Sequence, residues 1–155
     1  MGRCARLAWE HGADYLASSN APPSGVMTAH ILLGVLKETD CAAGLILAKM
    51  GVDLILAYKH TEFLLLHGRR REGESTIQQW GLTDHTAQAK LIMEYALDEA
   101  QLYSDTYPIG TEHMLLGLLR VTEGGGCKVL NYFGIDEAGA RATRNEWWDV
   151  LRLTE

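Results

Sequence analysis

Residues 27–53 read MTAHILLGVLKETDCAAGLILAKMGVD, and residues 110–136 read GTEHMLLGLLRVTEGGGCKVLNYFGID. The two stretches align without a gap, residue 27 on residue 110. Thr28/Thr111, His30/His113, Leu32/Leu115, Leu33/Leu116, Gly34/Gly117, Leu36/Leu119, Thr39/Thr122, Leu47/Leu130, Gly51/Gly134 and Asp53/Asp136 are identical pairs. An internal repeat decides architecture before any single residue does, because each copy must be one packing unit.

The repeated unit reads as helical. Ile31, Leu32, Val35 and Leu36 fall at i, i+1, i+4 and i+5, a buried helical stripe, and Met114, Leu115, Leu118 and Leu119 repeat it. Thr28 and Thr111 stand where helix N-caps are expected, since a hydroxyl there accepts a bond from a free backbone N–H. Pro108 blocks backward extension of the second of these helices. Gly51 and Gly134 fit the left-handed residue that closes the next helix. A further helix is predicted ahead of each motif, over about Cys4–Ser18 and Thr86–Ser104. Another follows each, from Asp53 through about Leu66 and from Asp136 through about Leu153. Each half is therefore four helices and the whole about eight, an all-α protein.

Working outward, His67-Gly-Arg-Arg-Arg-Glu-Gly-Glu-Ser is polar, charged and glycine-containing, and reads as a linker. Asn20-Ala-Pro-Pro-Ser-Gly reads as a second loop. The 155 residues, 47% of them apolar, suit one domain: repeat one over 1–66, a linker over 67–81, and repeat two over 82–155. A single repeat would be marginal by itself.

Charge narrows the class. Residues 1–66 carry five Lys or Arg and six Asp or Glu, whereas residues 82–155 carry six and twelve. An acidic second half argues against nucleic acid, which needs a basic face, and suits a solvated surface or a cationic partner. No apolar run reaches the ~18 residues of a membrane span. The N-terminal segment MGRCARLAWEHGADYL is broken by charges and lacks the apolar core of a secretory signal. Cys4, Cys41 and Cys127 form no C-x-x-C pair and are expected to be reduced core thiols of a cytoplasmic protein.

No catalytic or metal pattern emerges. His30 and His113 recur, but Glu112 and His113 are adjacent and so diverge on a helix. No H-E-x-x-H or other multi-ligand spacing accompanies them, so packed structural histidines are expected. His60 and His67 make no better set. No nucleophile arrangement is readable, and the alternative of a small hydrolase built on His113 and Glu112 has no support from spacing. There is no G-x-x-x-x-G-K-[ST], hence no site for ATP, and no cofactor is expected.

The combination G-T-E-H-x-L-L-G-L-L-R, a short glycine-rich turn, and a helix ending in x-x-G-I-D resembles the Clp N-terminal domain, most closely its ClpC and ClpA type. Ala89–Ala100 is similar to the first repeat helix of that family. The resemblance covers most of the chain, because the family is itself two tandem four-helix repeats about a pseudo-twofold axis. It implies a non-catalytic module that binds substrates and adaptors for a Clp unfoldase and protease, either as the front of an unfoldase or as a small accessory protein. Its implied partners are Clp ATPase or protease subunits, adaptors and protein substrates. It further implies a pocket for phosphorylated arginine at Glu112, with Thr111 beside it and Thr86 near. A carboxylate pairs with a guanidinium in forked geometry, and a helix N-terminus holds a phosphate. The first repeat has Ala29 where Glu112 stands, so at most one such pocket is expected. The plainer role for Glu112 is to complement its helix dipole.

Trp80, Trp147 and Trp148 are candidate partner anchors. Of the adjacent pair, one is expected to face the core and the other solvent, since helix neighbours diverge by ~100°. The remaining alternative is a self-associating helical protein with this tryptophan-rich end as its interface.

Overall fold

The computed structural model describes residues 1–18, 27–67, 86–102 and 108–151. Repeat one contributes α1 (Arg3–Ser18), α2 (Thr28–Lys37), α3 (Ala42–Lys49) and α4 (Leu54–His67). Repeat two contributes α5 (Ala87–Gln101), α6 (Thr111–Arg120), α7 (Gly125–Tyr132), α8 (Glu137–Glu146) and the single turn α9 (Trp148–Leu151). The described residues contain no strand. The loop at 20–25, most of the linker, and Trp80 lie outside them.

The two motif helices are the centre of the molecule. Thr28 through Leu36 are all buried in α2, and Thr111 through Leu119 are all buried in α6. A helix covered on every side needs small residues where neighbours cross it. Gly34 supplies one: a methyl there would collide with the Ala8 carbonyl oxygen of α1. Gly117 is its counterpart, where a Cβ would lie 2.6 Å from the Ile92 carbonyl oxygen of α5. The recurring Leu-Leu-Gly is thus the signature of a helical hairpin packed backbone to backbone. Gly51 and Gly134 adopt φ of 85° and 76°. Beyond them Val52 N donates to Leu47 O and Ile135 N to Leu130 O, both at 3.0 Å, which closes α3 and α7.

The threonines differ from expectation in an informative way. The N-caps of α2 and α6 are Met27 and Gly110, and Thr28 and Thr111 occupy the first helical positions. Their hydroxyls reach across the molecule instead. Thr28 Oγ1 accepts from Gly126 N at 3.1 Å, and Thr111 Oγ1 accepts from Ala43 N at 3.0 Å. Each repeat therefore caps the third helix of the other, a reciprocal pair that expresses the pseudo-twofold relation in two hydrogen bonds. The first turns of α2 and α6 are completed by histidine: Met27 N donates to His30 Nδ1 at 3.0 Å and Gly110 N to His113 Nδ1 at 2.9 Å. Both recurring histidines are buried.

Two further differences follow. The last predicted helix breaks at Trp147, leaving α9 as one turn. The cysteines are not all thiols: Cys4 and Cys41 are joined in a disulfide with Cα atoms 6.3 Å apart, tying the first turn of α1 to the cap of α3, while Cys127 is free and buried. Sequence separation hid this pairing, because the two cysteines are 37 positions apart with α2 between them.

Candidate functional site at the start of helix α6

Glu112 lies in the first turn of α6, and its side chain folds back over Gly110. It is 1% exposed. Its Oε1 is 3.4 Å from His113 Nδ1. Across the ring, His113 Nε2 is 3.2 Å from an Arg144 guanidinium nitrogen of α8. Arg144 is itself fully buried, with its guanidinium 4.2 Å from the centre of the Trp148 ring and a bond of 3.3 Å to Asn145 Oδ1. The site is therefore a row, Glu112, His113, Arg144, Trp148, whose first three members are buried and which runs from the start of α6 past the end of α8 to the first residue of α9.

Donors face both nitrogens of His113: the Gly110 amide at Nδ1 and the Arg144 guanidinium at Nε2. A neutral ring accepts from one of them at a time; a protonated ring accepts from neither. Burial first, and then the charge of Arg144, push its pKa down to about 4, against a smaller opposing pull from Glu99. The ring is neutral at pH ~7, so its contact with Glu112 is not an ion pair. Its function in this geometry is to space a carboxylate from a guanidinium inside the protein.

The sequence carried a sign of Arg144 that the motif did not. In repeat one the equivalent of Arg144 is Thr61, which is buried and donates to the Ala57 carbonyl at 2.7 Å. Glu112 and Arg144 thus occur together in repeat two, and are replaced together by Ala29 and Thr61 in repeat one. A buried charge needs a counter-charge, and the paired replacement is what that requirement predicts.

Thr111 and Thr86 are both buried, and each accepts a hydrogen bond from a backbone N–H. Thr111 caps α3, and Thr86 is the N-cap of α5, accepting from Ala89 N at 3.2 Å. The structure joins Glu112 to Arg144 through His113. The residue just before α1 lies beside the start of α6, where Gly2 N donates to the Ile109 carbonyl at 2.7 Å.

Trp147 and Trp148 are both half-buried, so they do not divide cleanly into one inward and one outward ring. Trp147 packs against the core and carries Lys49 Nζ 4.8 Å over its ring, while Trp148 covers Arg144. Elsewhere, His60 stacks on Tyr132 at 4.6 Å and His67 on Phe63 at 4.4 Å. Among the described residues, no three or more His, Cys, Asp or Glu side chains converge as a metal site. None of the described helices is long and apolar enough to cross a membrane.

Comparison with known proteins agrees with this architecture. Residues 13–131 match the Clp repeat N-terminal domain. Over 118 residues the chain is 36% identical to the negative regulator of genetic competence ClpC/MecB of Bacillus subtilis, covering 76% of this chain and 14% of that protein. It is 33% identical over 118 residues to the chaperone protein ClpB of Oceanobacillus iheyensis, again 76% of this chain and 14% of the relative. The crystal structure of the N-terminal domain of the chaperone ClpD from Arabidopsis thaliana superposes with a TM-score of 0.69 at 18% identity, covering 96% of this chain and 94% of that one. The chain spans about a seventh of the length of these curated relatives and corresponds to their N-terminal repeat region; it belongs to the Clp repeat N-terminal domain family.

Proposed function

We propose that the protein is a recognition module of a Clp chaperone–protease system, one that binds protein substrates, adaptors or Clp subunits and performs no chemistry. The observation that carries this reading is the architecture shared with the family: two interlocked repeats whose central helices and histidines are occupied with packing and capping. The recurring polar side chains Thr28, Thr111, His30 and His113 each hold backbone or neighbouring groups in place. A cytoplasmic workplace beside the Clp machinery follows from the same reading. Tagged protein incubated with lysate of its own organism is expected to recover a Clp ATPase, a Clp protease subunit or an adaptor. Recovery of none, with the tagged protein folded, would overturn it.

The narrower form of this reading is recognition of phosphorylated arginine at the start of α6. In this reading Glu112 supplies the carboxylate, the first turn of α6 supplies N–H groups, Thr111 is adjacent and Thr86 is near. Because Glu112 lies folded over Gly110, binding requires its side chain to turn outward. Calorimetric titration of phosphoarginine is expected to give one site per chain, absent in Glu112→Ala. A flat titration of the native protein removes this narrower reading and leaves protein docking.

A further inference from the structure

We propose that the groove between the end of α2 and α4, in repeat one, docks an extended partner segment that places an apolar side chain next to a carboxylate. The inference rests on reading the chain as a recognition module, but it concerns a different surface from Glu112.

The groove has an apolar floor and a basic rim. A cleft of ≈ 250 Å³ is walled by Leu36, Leu54, Ile55 and Tyr58, with Lys37 and Lys59 at its edge. Ile55 is 69% exposed, and α4 as a whole buries only Ala57 and Thr61. An apolar helix left open to water marks an interaction surface. Among the described residues neither lysine forms an ion pair. Lys37 Nζ meets a ring nitrogen of His11 at 3.2 Å rather than a carboxylate. Two ammonium groups without carboxylate partners, flanking an apolar cleft on a chain of net charge −6, select an anionic and apolar ligand.

Repeat two differs at the matching positions. The equivalents of Leu54, Ile55, Tyr58 and Lys59 are Glu137, Ala138, Arg141 and Ala142. There the cations are paired internally: Arg141 with Glu99 at 2.6 Å and with Glu137 at 2.9 Å, and Arg120, the equivalent of Lys37, with Glu99 at 3.3 Å. Repeat one keeps the cation and loses the internal carboxylate, because Tyr15 stands where the helix register places Glu99. The missing carboxylate is the group the partner would bring. A second cleft, of ≈ 180 Å³, shares Lys37 and Tyr58 and continues the groove toward Asp14 and Ser18 of α1. The carboxylates of Asp14, which lines this second cleft, and of Glu62, which hydrogen-bonds Tyr15 there, set the direction, turning the acidic part of the segment toward Lys37 and Lys59.

The test is fluorescence anisotropy with a labelled peptide of alternating leucine and glutamate, beside one of alternating leucine and lysine. The glutamate probe is expected to bind saturably and the lysine probe about tenfold or more weaker, a difference of at least ~1.4 kcal/mol. Ile55→Asp, an exposed position whose fold is checked by circular dichroism, is expected to weaken the glutamate probe about tenfold, and Lys59→Glu to invert the preference between probes. Ala138→Asp, at the matching place in repeat two, is expected to change nothing. Equal affinity for both probes, no saturable binding, or binding indifferent to Ile55→Asp overturns the proposal. So does a concentration-dependent dimer abolished by Ile55→Asp, which would assign the groove to a second copy. Phosphoarginine binding is read separately through Glu112→Ala, so failure of either reading leaves the other standing.

Discussion

His113 shows how one side chain can recur for packing and still leave a measurable signature. Its pKa is held down to about 4 by burial and by Arg144, below the ~6.5 of an unfolded imidazole. As pH falls, the unfolded chain therefore takes up a proton first. The stabilisation this neutral ring represents is present above pH ~6.5 and is lost as pH falls toward ~4, amounting to about 2 kcal/mol by pH ~5. Urea unfolding of the native protein at pH ~7.5 and ~5 should show that loss, and His113→Gln should remove most of the pH-dependent part whatever its absolute stability. A native protein whose unfolding midpoint ignores pH over this range would contradict the buried geometry. At this scale the sequence was readable in kind but not in partner. Repetition marked His30, His113, Thr28 and Thr111 as structural. Nothing in a linear pattern could show that each threonine serves the opposite repeat, because the recipients, Gly126 and Ala43, are defined only by the way the repeats interlock.

At the scale of elements, α4 and α8 occupy matching places and have diverged in opposite directions. The α8 segment EAGARATRNE is charged, and Arg141 on it carries two bonds to the buried Glu99 of α5, at 2.6 and 2.8 Å. Burial pushes the Glu99 carboxyl up, but the bonds and charge of Arg141, with the charges of Arg120 and Arg144, outweigh it and hold the group below the usual carboxylate range. Removing Arg141 leaves Glu99 buried with Arg120, 3.3 Å away, as its remaining close partner. Arg141→Ala is expected to cost roughly 3 kcal/mol in urea unfolding, whereas the double change Arg141→Met with Glu99→Leu should recover most of it. A single change as mild as an ordinary surface substitution would show that water already screens the pair. The α4 segment LILAYKHTEFLLLH instead reads as apolar on every side, which predicts burial. In the structure α4 buries Ala57 and Thr61 and leaves Ile55, Leu56, Phe63 and Leu66 exposed. Periodicity reports which residues are apolar, and only the neighbouring elements decide which of them are covered.

For the whole molecule, the repeat made the fold legible: a gapless alignment of two motifs, with the helices read around them, gives eight helices in the observed order among the described residues, and does not announce the break at Trp147. The cysteine pairing was the part the chain concealed, and it bears on where the protein works. The Cys4–Cys41 bond joins residues 37 apart, and a crosslink closing a loop of that size contributes up to roughly 4 kcal/mol by restricting the unfolded chain. A reducing cytoplasm keeps such thiols open, so a cytoplasmic Clp module and this bond make opposite demands on the same two sulfurs. Thiol counting on protein alkylated at lysis and then denatured distinguishes them: one reactive thiol, from Cys127, if the bond exists in the cell, and three if it does not. Unfolding with and without reductant then measures what the bond contributes. The expected outcome is a lower midpoint on reduction with the helical signal of the native state retained, because Cys4 and Cys41 sit where α1 and α3 are already held by Ala8 against Gly34 and by Thr111 on Ala43. Loss of helix on reduction would mean that those contacts cannot hold repeat one together, and would make an oxidising environment a condition of the fold itself.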